Sequence, residues 1–451
     1  MELPDVRRIF GGRHGENSEL VVHGGHIRAA SVSVPGDKSI SHRALLFGLL
    51  AQGTARIQGL SKADDVNATR SAVAALGAKL DESEFELSIT GTGGSLTEPD
   101  HVVNVGNSGT LLRLITGLLA PRIGVTTFLT GDASIVRRPM ARVVEPLTAM
   151  GAYIIGRQGN RFAPLVVQGR ELSGITYSMS TPSAQVKSAI ILAGLAADGE
   201  TAVIESTPTR AHTEEMAPLF GARLQVEEDG AGRVIHVERS DLIAADFVVP
   251  GDPSAAAFFV VLGLIGDSPL TIGNVYLGAE RDGFLKVLRA MGGRIEVSRL
   301  ASGAHSITAR PSELTGTVVG PEGVPGLIDE VPILAVAAAK ARGATTFLGV
   351  EELRHKESDR IATTMEMLAA FGVETAEVES GFRVWGGVPM DLARHLQRSV
   401  DSHMDHRIAM SAAILGAITK GETRITGAQS VPTSFPGFAA QLARCGVEVR
   451  A

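Results

Sequence analysis

Two kinds of apolar stretch alternate along this chain. The first is apolar nearly all round and rich in Ala, Leu, Ile and Gly: Ser39–Leu50, Asn107–Leu119, Ser183–Ala196, Pro253–Ile265, Asp329–Ala341 and Asp405–Ile418. A helix with such a surface is buried on most sides. The second kind is amphipathic, with apolar residues at helical spacing, as in Phe284, Val287, Leu288 and Met291. It ends on a bulky apolar residue followed by glycine: Leu76-Gly77, Met150-Gly151, Phe220-Gly221, Met291-Gly292, Phe371-Gly372 and Cys445-Gly446. Glycine at that point predicts a left-handed helix cap, and an alternating, strand-like segment follows it. Strand signals such as "GTARIQG", "GETAVIES" and "GETRITGA" follow the buried helices. The pattern predicts one unit (strand, buried helix, strand, exposed helix, strands) repeated six times at roughly 70–80 residues, longer than common solenoid repeats.

Six units in 451 residues suggest two domains of three. The segment "VPGD" occurs twice, at Val34–Asp37 and Val249–Asp252, and these are the natural crossovers. Residues 37–250 then form one domain. Residues 1–36 and 251–451 form a discontinuous second one, with the N-terminal strands completing it. The two copies differ in charge. The first continues as "KSISHR", placing cations in the first turns of a helix, where the dipole disfavours them. The second continues as "PSAAAF" and is expected to contribute packing and dipole more than grip.

Composition narrows the function. A formal net charge of −7, 4% aromatics and a single Trp385 argue against a nucleic-acid groove. The longest uncharged apolar run near the middle, Ala255–Gly266, is too short to span a bilayer. The first twenty residues show no apolar h-region, so no secretory signal is expected. The lone Cys445 excludes an internal disulfide framework and fits a reducing compartment, so the expected location is the cytoplasm. Cys445 matches five core positions of the repeat and is expected to fill core. An acidic chain can still hold a local basic pocket for a small anion.

Candidate chemistry gathers at the starts of the buried helices: Lys38, Ser39 and Arg43; Asn107 and Ser108; Ser183 and Gln185; Asp329 and Glu330; Asp405 and Arg407. Helix N-termini offer unpaired N–H groups and positive potential, a ready anion site. Cations there oppose the dipole unless a phosphate or carboxylate binds. Further cations stand in "GDASIVRRPM", in "STPTRAHTEE" and in "ELRHKESDRI". The histidine pairs in "HGGH" and "HMDH" lack further ligands nearby, so no metal site is expected. "GTGGSL" is a loop rather than a dinucleotide fingerprint.

The segments "PGDKSISHR", "GNSGTLLR", "GDASIVRRPM", "SAQVKSA", "IDEVPILAVAAA", "ELRHKESDRI" and "DHRIAMS", in this order from about Val34 to Phe438, resemble the EPSP synthase family of enolpyruvyl transferases. The resemblance implies an α/β fold of two domains, each of three βαβαββ units, closing around the substrates as an inside-out α/β barrel. It implies transfer of the enolpyruvyl group of phosphoenolpyruvate to the 5-hydroxyl of shikimate 3-phosphate, by addition and elimination, with no cofactor and no metal, in a cytoplasmic monomer. Lys38, Ser39, Arg43, Ser183, Ala184, Gln185 and Arg210 would hold shikimate 3-phosphate, with Asp329 and Lys356 at its hydroxyls. Lys38, Asn107, Gly109, Arg138, Gln185, Arg360 and Arg407 would hold phosphoenolpyruvate. Asp329 would be the base for the attacking hydroxyl, and Glu357 or Lys38 the acid at the methylene carbon. Two positions depart from the family pattern: Ala184 replaces a second serine, and Thr433 stands where many members have Lys. Gly109 keeps the small residue that the family associates with glyphosate sensitivity. Two alternatives remain: a UDP-N-acetylglucosamine enolpyruvyl transferase, which generally uses a loop cysteine, and a non-catalytic binder of a phosphorylated metabolite.

Overall fold

The computed structural model describes residues 19–83, 86–278, 281–387 and 397–450. They build six four-stranded sheets, all with one pairing order. In the first, Phe247–Val248 runs parallel to Thr54–Gln58, which is antiparallel to Glu86–Thr90, itself antiparallel to Lys79–Glu82. The same parallel, antiparallel, antiparallel sequence recurs in the other five. Each sheet belongs to a βαβαββ unit, as the resemblance implies.

The buried helices are Lys38–Leu50, Gly109–Leu119, Ala184–Gly194, Pro253–Ile265, Val331–Lys340 and His406–Ala417. Their side chains are almost wholly enclosed, in keeping with their uniform apolarity. Several expected starts move inward because the polar residue is a cap rather than the first helical residue. Asp37, Ser108, Ser183, Asp252 and Asp405 each accept a hydrogen bond from a first-turn N–H. Asp329 lies in a short 3-10 turn, Ile328–Glu330, ahead of the fifth helix. Pro332, which has no N–H to give, sits in that helix's first turn. The second helices of the units are Asp64–Ala75, Ala141–Ala149, His212–Met216, Gly283–Ala290, Arg360–Ala370 and Phe438–Arg444; His212–Met216, expected to be exposed, has only Glu215 outside the interior. All six glycines expected to cap them are left-handed, with φ from +75° to +106°.

The chain divides into two compact units. Gly36–Pro250, together with Gly278, forms one; the segment up to Pro35, Gly251–Leu277 and Arg281–Ala451 form the other. The passages between them are mirrored: the Asp37 N–H donates to the Pro250 carbonyl at 2.7 Å, and the Asp252 N–H to the Pro35 carbonyl at 2.9 Å. In the second unit, Ala30–Val32 supplies the parallel strand beside Leu270–Val275. Leu20–Gly24 enters the last sheet between Gly421–Thr426 and Glu448–Arg450. No helix among the described residues is long and apolar enough to cross a membrane.

Candidate functional site

In the unit Gly36–Pro250, hydrogen bonds tie together the N-terminal ends of its three buried helices. Lys38 Nζ pairs with Asp65 Oδ2 at 2.9 Å. Arg43 is buried and donates through Nε to Thr213 Oγ1 and through Nη2 to Ser188 Oγ, both at 2.7 Å, and through Nη1 to the Ser39 carbonyl at 3.0 Å. This links the first helix to the third. His42 links the first to the second, with Thr69 Oγ1 2.6 Å from Nδ1 and the capping Ser108 Oγ 3.4 Å from Nε2. Burial, then the charges of Lys38 and Arg43, hold its pKa well below 6.5, so the ring is neutral. The second helix meets the third where Arg113 donates to Gln185 Oε1 and Gln185 Nε2 donates to Thr110 Oγ1 at 3.0 Å. Arg138 donates to Asn107 Oδ1 at 2.7 Å. Gly109 lies against both guanidinia: a Cβ there would sit 3.0 Å from Arg138 Nη1 and 3.2 Å from Arg113 Nη1.

In the other unit the same helix ends carry carboxylates as well as cations. Arg360, 1% exposed, donates to Asp405 Oδ2 at 2.7 Å, to Glu357 Oε2 at 2.5 Å and to Asp329 Oδ1 at 3.4 Å. Burial alone would lower its pKa. Asp405, Glu357 and Asp329 outweigh that and raise it, so the guanidinium stays charged. For Asp405, burial favours the neutral acid, but the Arg360 charge prevails and the carboxyl is held below its usual range. Lys356 Nζ lies 3.8 Å from Asp329 Oδ1. Arg407 Nη1 donates to the Asp329 carbonyl at 2.9 Å and lies 3.8 Å from Glu330 Oε1. Glu330 accepts from Ser254 Oγ. Arg281 closes the chain of contacts at Asp252 Oδ1, 3.2 Å, and at Ser254 Oγ, 3.3 Å.

Clusters of buried cations at helix N-termini suit a substrate carrying several anionic groups, and paired carboxylates suit proton transfer. A family model for EPSP synthase (3-phosphoshikimate 1-carboxyvinyltransferase) matches residues 22–442. The chain belongs to this family. It is 44% identical over 420 residues to the 3-phosphoshikimate 1-carboxyvinyltransferase of Synechococcus sp. (strain JA-3-3Ab), covering 92% of this chain and 93% of that one. Against the protein of the same name from Caulobacter vibrioides (strain NA1000 / CB15N) it is 46% identical over 428 residues, covering 92% and 95%. The EPSP synthase of Acinetobacter baumannii superposes with a TM-score of 0.83 at 36% identity, covering 97% of this chain and 100% of that one.

The EPSP synthase motifs thus fall into two groups, one per unit. Lys38, Ser39, Arg43, Asn107, Gly109, Arg138, Ser183, Ala184, Gln185 and Arg210 belong to Gly36–Pro250; Asp329, Lys356, Glu357, Arg360 and Arg407 belong to the other. Some of these side chains already have internal work: the Ser183 hydroxyl caps its helix, and Arg43 is engaged on three sides. Residues absent from the sequence reading also join the networks. Arg113 lay within the quoted "GNSGTLLR", one turn after Gly109, and that spacing could have flagged it. His42 likewise stands within "PGDKSISHR", beside Arg43; Asp65 and Arg281 gave no comparable signal. The second "VPGD" helix, expected to lack a cation, receives one from Arg281 on a later segment. Thr433, at the position of the missing Lys, bonds to the Ser430 carbonyl at 2.6 Å and lies 3.4 Å from His406 Nδ1. The remaining histidines of the two pairs meet single carboxylates: His23 with Glu422, His26 with Asp267 and His403 with Glu366. Among the described residues no group of three His, Cys, Asp or Glu is placed to hold a metal ion. Cys445 is wholly buried in the core, and burial pushes its thiol up to about 11, unlike a reactive thiolate.

Proposed function

We propose that the chain carries out the reaction that names its family, with Asp329 as base and with Glu357 or Lys38 as acid. The enolpyruvyl group of phosphoenolpyruvate is transferred to the 5-hydroxyl of shikimate 3-phosphate. Protonation of the phosphoenolpyruvate methylene carbon leaves an oxocarbenium-like centre. The hydroxyl oxygen attacks that centre and gives up its proton to Asp329. The tetrahedral adduct then loses phosphate and returns a methyl proton to the group that protonated the methylene carbon, leaving the enolpyruvyl ether. The cations at the first three helix ends, Lys38, Arg43, Arg138 and Arg210, take the acceptor's phosphate and the phosphoenolpyruvate anions. Arg360 and Arg407 stabilise the departing phosphate, which fixed charges achieve without reorganising during the reaction.

The observation that carries this reading is the Arg360 cluster. One buried guanidinium holds both Asp329 and Glu357, so the two carboxylates that the chemistry needs share an orienting group. The neighbouring cations favour ionised carboxylates. That suits Asp329 as a base and makes Lys38 a real competitor to Glu357 for the acid role. The working form is proposed to be a monomer in the cytoplasm.

The deciding measurement is phosphate release from phosphoenolpyruvate with shikimate 3-phosphate as acceptor. The wild type should release phosphate only with acceptor present. Asp329→Ala should lower kcat by about 10²- to 10⁴-fold, the usual contribution of a general base. Acceptor-independent release, or none, refutes the activity; an undiminished kcat in the variant refutes the base.

A further inference from the structure

One buried ionic cluster in the unit Gly36–Pro250 lies outside the set assigned above. Lys187 Nζ, fully buried, stands 2.8 Å from Glu205 Oε2, 2.5 Å from Glu214 Oε1 and 3.4 Å from the Thr209 carbonyl. The Thr209 hydroxyl donates to the other oxygen of Glu205. Thr209 is therefore held through both main chain and side chain, and the next residue is Arg210. Lys187 sits one turn beyond the capping Ser183. Its neighbour Ser188 bonds to Thr213 at 2.7 Å, and both hydroxyls seat Arg43. Adjacent ties, Lys187 to Glu214 and Ser188 to Thr213, thus fasten the same pair of helices. A buried ion cluster is a poor source of stability, because desolvation offsets its attraction. Its directed contacts do fix geometry.

We infer that Lys187 is a positioning residue for acceptor binding: it holds the Thr209–Arg210 loop so that Arg210 meets the phosphate of shikimate 3-phosphate. This rests on the assignment of Arg210 to that phosphate. The test is calorimetric titration of shikimate 3-phosphate into Lys187→Met, Lys187→Arg, Arg210→Met and the Lys187→Met/Arg210→Met double variant, with steady-state KM values for both substrates. Lys187→Met should weaken acceptor binding about tenfold or more, the worth of a charged hydrogen bond. KM for phosphoenolpyruvate should stay within about twofold, and Lys187→Arg should restore part of the loss. In the Arg210→Met background the Lys187 change should add nothing, since residues acting through one group are not additive. If Lys187→Met does not fold, Glu214→Gln, which keeps the shape, should show the same dependence on Arg210 at smaller amplitude. Wild-type acceptor affinity in a folded variant overturns the inference, and so do Lys187 and Arg210 losses that multiply. Unchanged binding by Arg210→Met alone overturns the Arg210 assignment itself, and that is seen before any Lys187 variant is made.

Discussion

The two units share one repeat and one sheet order, and all their buried helices but Val331–Lys340 are capped by an Asp or Ser side chain, yet the side chains near those helix ends differ. In Gly36–Pro250, Arg43, Arg113 and Arg138 bond to hydroxyls, side-chain amides and a carbonyl. Hydroxyl, amide and carbonyl partners orient a cation without cancelling its charge, while Lys38 in the same unit meets the Asp65 carboxylate. In the other unit Arg360 and Lys356 meet carboxylates, and Arg281 meets Asp252. There the charges cancel, and what remains is a set of carboxylates held in fixed directions. On the proposed assignment, the same frame serves as a grip in one unit and for acid–base chemistry in the other.

The sharpest way to break this comparison is to remove the central arginine of each unit. Arg360→Met strands Asp405 in the interior beside Glu357 and Asp329, and should cost about 3–5 kcal/mol of stability, the usual cost of leaving a buried charge unpaired. Arg43→Met leaves behind the Thr213 and Ser188 hydroxyls and the Ser39 carbonyl. It should cost about 1–3 kcal/mol and show itself mainly as a raised KM for shikimate 3-phosphate. Denaturant midpoints decide it, and equal losses would erase the distinction. Next in size, Glu357→Gln should lower kcat by about 10²-fold with little change in either KM, whereas Lys38→Met should raise KM as well. The ratio of the two kinetic changes also separates the candidate acids.

A smaller effect is expected at Gly109→Ala. The added methyl presses on Arg138 and Arg113, so KM for phosphoenolpyruvate should rise by about tenfold, or ~1.4 kcal/mol, with acceptor binding unchanged. The unaltered protein should be inhibited by glyphosate, and normal turnover at high glyphosate contradicts that. The smallest effect is the pH dependence set by His42. Its folded pKa is depressed, so the unfolded chain binds a proton that the folded one refuses. The resulting stability is present above about pH 6.5 and falls as the pH drops below it, by at most ~1.4 kcal/mol per unit. His42→Gln should flatten that part of the stability curve relative to wild type, and parallel curves would show that His42 charges in place.

Much of the frame was legible because it rests on local rules. The six left-handed glycines and the uniformly apolar helices are dictated within a dozen residues of themselves. Boundaries slipped where a polar residue had two readings. The pattern predicts a helix from Asp405, which is instead its cap, and one from Asp329, which lies in a 3-10 turn ahead of the helix whose first turn holds Pro332. At the site, motif order marked the residues, but their partners come from distant segments. Ser188 and Thr213 reach Arg43 from 145 and 170 positions away. Lys187 was hidden for the same reason: on an apolar helix it reads as an anomaly, and only Glu205 and Glu214 give it a meaning.

The strand Leu20–Gly24 pairs with Gly421–Thr426 and Glu448–Arg450, and this sets an order of assembly during synthesis. Gly36–Pro250 is continuous and can complete its three sheets while the ribosome is still extending the chain. The other unit cannot: Leu20–Gly24 has no partner until Gly421–Thr426 is made, and its second partner, Glu448–Arg450, comes later still. Contacts of such span form slowly, because the chain entropy of closure precedes any reward. The discontinuous unit is therefore the late-folding one, and the one most exposed to aggregation during synthesis.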